Sequence, residues 1–90
     1  MSATVRIPPI LRPDAGGNRQ VEVEGATLAA ALDELVATYP ALAERLESDD
    51  GLPPFLNVYV DGTDVRELGE LETPLVPGST VLLLPAMAGG

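Results

Sequence analysis

One long segment of this chain carries its apolar residues at helical spacing. Thr27 stands ahead of Leu28, Leu32, Leu35, Val36 and Tyr39, which fall on a single stripe, while Asp33, Glu34 and Thr38 fall on the opposite side. Threonine is a favoured N-cap and Pro40 cannot continue the helix, so the segment has both a start and a stop. Leu42 and Leu46, four apart, add a short second turn of helix over 41–46. A lone amphipathic helix cannot bury its stripe against itself. In a chain of 90 residues the remainder must supply a flat apolar surface to cover it, and that means a sheet.

The flanking segments have the period of strands. Residues 3–7 alternate, with Val5 and Ile7 on one side and Thr4 and Arg6 on the other, until Pro8 and Pro9 end regular pairing. After a loop over 14–18, residues 19–24 alternate again with Val21 and Val23 inward, which predicts a hairpin with a long loop. Residues 47–54 form an acidic, breaker-rich loop. The clearest strand is 55–60, with Leu56, Val58 and Val60 on one face and Phe55, Asn57 and Tyr59 on the other. Asp61-Gly62 turns it, residues 64–66 read as a short edge strand, and 67–79 as irregular connection. Residues 80–84 are apolar on both faces, as a central strand is. The expected fold is α+β: a mixed sheet of four or five strands packed on one main helix, spanning 1–85, with 86–90 as a flexible tail.

Composition excludes several kinds of chemistry. The chain has no cysteine and no histidine, so thiol catalysis and the commonest general base and metal ligand are absent. Asp33-Glu34, Asp49-Asp50 and the pair Asp61 and Asp64 lack ligand spacing and read as solvated surface, leaving no metal site. A formal charge of −9 repels phosphate backbones and anionic lipid and favours a partner with a basic face, with association slowing as salt rises. Neither nucleic acid nor membrane is an expected partner. The N-terminus has no basic n-region or continuous apolar run, and no stretch approaches the roughly 18 residues of a membrane span, so a cytoplasmic location is expected.

The hairpin with its IPPILRP and GG stretches, the Thr-capped helix, FLNVYVDGTDVR, TPLVPGSTV and the closing LLPAMAGG together resemble the β-grasp sulfur carriers related to ubiquitin. This group includes the molybdopterin-synthase small subunit and the thiamin-pathway sulfur carrier, and the resemblance is greatest to the mycobacterial type that serves cysteine biosynthesis. It implies a protein cosubstrate, not an enzyme. Its working group would be the Gly90 carboxylate, delivered by a tail of Met87, Ala88 and Gly89. A terminal carboxylate, with a pKa of about 3.3–3.7, is an anion and a poor electrophile at neutral pH. In the family, an E1-like adenylating enzyme using ATP and magnesium activates it, and a sulfur donor converts it to a thiocarboxylate. The sulfur acceptor would be a PLP-dependent cysteine synthase or a molybdopterin-synthase large subunit, with a metalloprotease as a further candidate partner.

Two glycines suit such a tail because, lacking Cβ, they make the thinnest chain for a narrow channel. Fully extended, the segment from Pro85 to Gly90 reaches about 20 Å. Ordering five residues costs on the order of 5–10 kcal/mol, with few contacts to offset it, so the folded body must dock as well. The expected docking face is the sheet side away from the helix: Phe55, Tyr59, Leu82 and Leu84. The resemblance places the first and last strands as parallel neighbours with the third antiparallel beside the last, and so Phe55 near Leu84. Two other readings stand beside the carrier: a ubiquitin-like modifier joined to lysines, and an acidic interaction module.

Overall fold

The computed structural model describes residues 2–47, 51–53 and 55–85. Strands β1 (Ala3–Arg6), β2 (Gln20–Val23), β3 (Leu56–Val60), β4 (Thr63–Asp64) and β5 (Thr80–Pro85) form one mixed sheet in the order β2-β1-β5-β3-β4. β1 and β5 run parallel, and β3 is antiparallel to β5. The strand that is apolar on both faces is therefore the central one. Helix α1 (Leu28–Thr38) and the single turn α2 (Ala43–Leu46) complete the fold.

Local chemistry sets the limits of α1. The Thr27 hydroxyl accepts a hydrogen bond from the Ala30 N–H at 3.2 Å, and the Glu24 N–H donates to both carboxylate oxygens of Glu34 at 2.9 and 3.0 Å. Glu34, expected on the wet side, thus ties the loop before the helix to its middle. Gly25 has to be small: a Cβ there would lie 2.6 Å from the Ala31 backbone nitrogen. Leu28, Ala31, Leu32 and Leu35 point into the core. They meet Val5, Leu56, Val58, Val81 and Leu83 from the sheet, all fully buried.

Three connections differ from expectation. The loop of the first hairpin holds a 3-10 turn, Pro9–Ala15, that buries Leu11 and Ala15 and ends at Gly16 with φ of 66°. Its prolines suit a tight turn whose first N–H groups need no partner. It is fastened to the end of α1, where the Asn18 amide donates to both the Ala15 carbonyl and the Tyr39 hydroxyl. The edge strand is Thr63–Asp64, not 64–66. The Asp64 carboxylate accepts from the Arg66 N–H at 2.9 Å and turns the chain into a 3-10 turn, Val65–Glu67, that buries Val65. The connection 67–79 is more ordered than its composition suggests. Buried Thr73 accepts from the Gly69 N–H through its hydroxyl and from the Leu28 N–H through its carbonyl, and the Leu75 N–H donates to Ala26. These bonds hold the segment against the start of α1, on the helix side of the sheet.

Candidate functional site

The strand registers place one continuous row across the side of the sheet that the helix leaves open. Gln20 pairs with Arg6, Arg6 with Leu82, Leu82 with Tyr59, and Tyr59 with Asp64, so one residue from each of the five strands lies in line. Side chains alternate along β5: Val81 and Leu83 are buried, Leu82 is half-buried, and Leu84 is 41% exposed. Tyr59, Leu82 and Leu84, with Arg6, Gly62 and Thr80, line an open cleft on this face. The structure thus brings together three of the four residues expected at a docking face.

Phe55 is the exception. It is 46% exposed, but it precedes β3 rather than starting it, because the Leu56 N–H donates back to the Pro53 carbonyl and closes a turn. The ladder begins with Leu56 opposite Pro85, and Asn57 is the residue opposite Leu84. Phe55 does not line the cleft. Arg66 steadies this corner by donating to the Asn57 side chain and to the Leu56 carbonyl. Met87, Ala88, Gly89 and Gly90 lie outside the described residues.

Asp61 is a residue the sequence undervalued. Its side chain accepts from the Thr80 N–H at 2.9 Å, and its own N–H donates to the Thr80 carbonyl, so the turn after β3 also anchors the start of β5. Asp61 and Gly62 both have positive φ, 50° and 90°, the conformation that suits the twist of a two-residue hairpin. The Asp-Gly pair announces the turn; only the topology reveals the bond to Thr80. Among the described residues no cluster of acidic side chains has the arrangement to hold a metal ion, and no helix is long and apolar enough to cross a membrane.

A helix packed across a mixed five-stranded sheet whose first and last strands run parallel at its centre defines a ubiquitin-like β-grasp protein. The chain belongs to the ThiS family, whose model matches residues 5–90. It is 45% identical to the sulfur carrier protein CysO of Mycobacterium tuberculosis, with all of both chains covered. It is 38% identical to small archaeal modifier protein 1 of Haloferax volcanii, over 86% of this chain and 88% of that one. Among solved structures, a chain of the Amycolatopsis orientalis BexX/CysO complex matches with a TM-score of 0.91 at 42% identity, covering 98% of this chain and 99% of that one.

Proposed function

We propose that this protein is a sulfur carrier whose Gly90 carboxylate is activated by a partner enzyme and leaves as a thiocarboxylate. The observation that carries this reading is the family match, which runs from residue 5 through Gly90 and so includes the Gly-Gly segment along with the fold. In the activation step a carboxylate oxygen attacks the α-phosphorus of magnesium-bound ATP, and pyrophosphate leaves. Sulfide-level sulfur delivered as HS− then adds to the acyl carbon, AMP departs with the electron pair of the bond that held it, and loss of the S–H proton leaves the thiocarboxylate. The catalytic groups, ATP and magnesium belong to the E1-like partner; this chain supplies the acyl group and the surface that positions it. Residues 86–90 act as the arm, and Tyr59, Leu82 and Leu84 form the dock at its base, with Phe55 on the adjoining turn. The likeness to CysO favours an acceptor of the cysteine synthase type over a molybdopterin-synthase large subunit.

The likeness to small archaeal modifier protein 1 supports a second reading, in which the same activated carboxyl is taken by a lysine amine. The two readings share adenylation and part at the nucleophile. Adenylation itself is tested by ATP–pyrophosphate exchange with the E1-like enzyme of the same cell. Deleting Gly90, or extending the chain by one residue, should abolish exchange and leave the thermal unfolding midpoint unchanged, because the change lies beyond β5 and the core. Full exchange after either change would remove the tail from the mechanism.

A further inference from the structure

β1 and β5 are parallel, so both finish at the same end of the sheet, and a second cleft opens there beside Leu84. Arg6, Arg12 and Arg19 line it, together with Pro8 and Pro9. The chain has five arginines and no lysine against fourteen carboxylates, yet three of its five cationic side chains gather at this cleft, and among the described residues no carboxylate lines it. Each arginine is brought there by a different element. Arg6 sits on the open face at the end of β1, with Gln20 as its β2 neighbour. Arg19 ends the hairpin loop, where its carbonyl accepts the Ile7 N–H at 2.8 Å. Arg12 is folded back by the 3-10 turn, and its Nε donates to the Ile7 carbonyl at 3.0 Å. With Nε anchored, the Arg12 guanidinium is held in place at the cleft. The side chains of Arg6 and Arg19 make no hydrogen bond or ion pair among the described residues. The proline-rich stretch after β1 therefore does more than end the strand, since it brings Arg12 to the side of the cleft where Arg6 and Arg19 already lie, next to Leu84.

Gathering like charges without a counter-ion is unfavourable, and guanidinium groups match carboxylates through paired N–H donors. We infer that this cleft receives an acidic segment of the activating enzyme, its carboxylates on the arginines and its apolar side chains on Leu84 and the two prolines. A protein segment fits better than a phosphate chain, because Leu82, Leu84 and the prolines make part of the wall apolar and the other charges of the molecule, two arginines against fourteen carboxylates and so −12 in sum, repel a densely charged polyanion. The inference rests on the carrier reading above and adds the kind of surface the enzyme must present.

The test is the KM for this protein in ATP–pyrophosphate exchange with the E1-like enzyme. Arg6→Ala and Arg19→Ala should each raise KM about three- to tenfold with kcat unchanged, and Arg6→Lys, which keeps the charge but not the paired donors, should recover only part of the loss. Arg45→Ala, an exposed arginine on α2, should leave KM unaltered. Net charge alone predicts the opposite, since each alanine takes the chain from −9 to −10 and should favour a basic partner. Unchanged or lowered KM for Arg6→Ala and Arg19→Ala, or an equal rise for Arg45→Ala, would overturn the inference and leave the carrier reading standing. If the unaltered protein supports no exchange, both fall together. Unfolding midpoints for all variants, and Arg→Gln substitutions at the same positions, separate lost binding from lost fold.

Discussion

Leu83 and Leu84 are adjacent, carry the same side chain and have opposite duties. Leu83 is fully buried opposite Val58, and its burial contributes about 2 kcal/mol to folding. Leu84, one residue on, is left in contact with water, where it stabilises the domain little and is available to a partner. A neutral polar probe separates the two roles without disturbing the nearby arginines. Val58→Gln should cost about 3 kcal/mol or more, because the amide is buried without hydrogen-bond partners. Leu84→Gln and Phe55→Gln should change stability by about 0.5 kcal/mol or less, and should weaken binding to the activating enzyme by about 1–2 kcal/mol. Thermal unfolding and titration calorimetry of the three variants check both halves. An unfolded Leu84→Gln variant would show that the residue belongs to the core.

At the scale of elements, the central strand organises the rest. β5 joins β1 on one side and β3 on the other, and the turn after β3 reaches across to hold its first residue through Asp61. Asp61→Ala loses that acceptor and, with it, the tolerance of positive φ that a short polar side chain gives, so it should destabilise the fold by about 1–2 kcal/mol; Asp61→Asn keeps an acceptor and tolerates the backbone, and should lie within about 0.5 kcal/mol of the parent. Equal loss in both, measured by urea unfolding, would mean that the charge and not the bond matters. Much of this level can be read from the sequence. Strict alternation in 56–60 and the double-sided apolar run of 80–84 identify the neighbour strand and the central one, although β5, like β3, buries only one face and its second apolar face, with Leu82 and Leu84, lines the open cleft. The 3-10 turn at Pro9–Ala15 escapes because three-residue periodicity in so short a stretch has no apolar signature, and its prolines read only as an end to pairing. The same limit moved the edge strand: Asp64 looks like strand until its side chain is seen to cap the turn that follows.

For the molecule as a whole, the proposed function and the arginine cleft both point to the end where β1 and β5 terminate. The apolar cleft runs along β5 from Thr80 to Leu84 and shares Arg6, Leu82 and Leu84 with the arginine cleft, one residue short of Pro85, the last described residue of the chain. The apolar half of this site is legible in the sequence through the parity of β5. The charged half is not, because Arg6, Arg12 and Arg19 lie on a strand, a turn and a loop that only tertiary structure draws together, and the net charge of −9 hides a local excess of the opposite sign. The composition also provides a clean assay for the central claim, that Gly90 carries sulfur. With no cysteine in the chain, a thiocarboxylate is the one thiol-like nucleophile it can bear. Intact mass alone is ambiguous, since exchanging oxygen for sulfur adds nearly the same mass as oxidising either of the two methionines. Treatment with iodoacetamide removes the ambiguity. Protein isolated from its own cells should contain a fraction that gains one carbamidomethyl group, mapped by fragmentation to Gly90. If no fraction is alkylated, and the only modified species are isopeptide-linked to lysines of other proteins, the chain is a modifier and not a carrier.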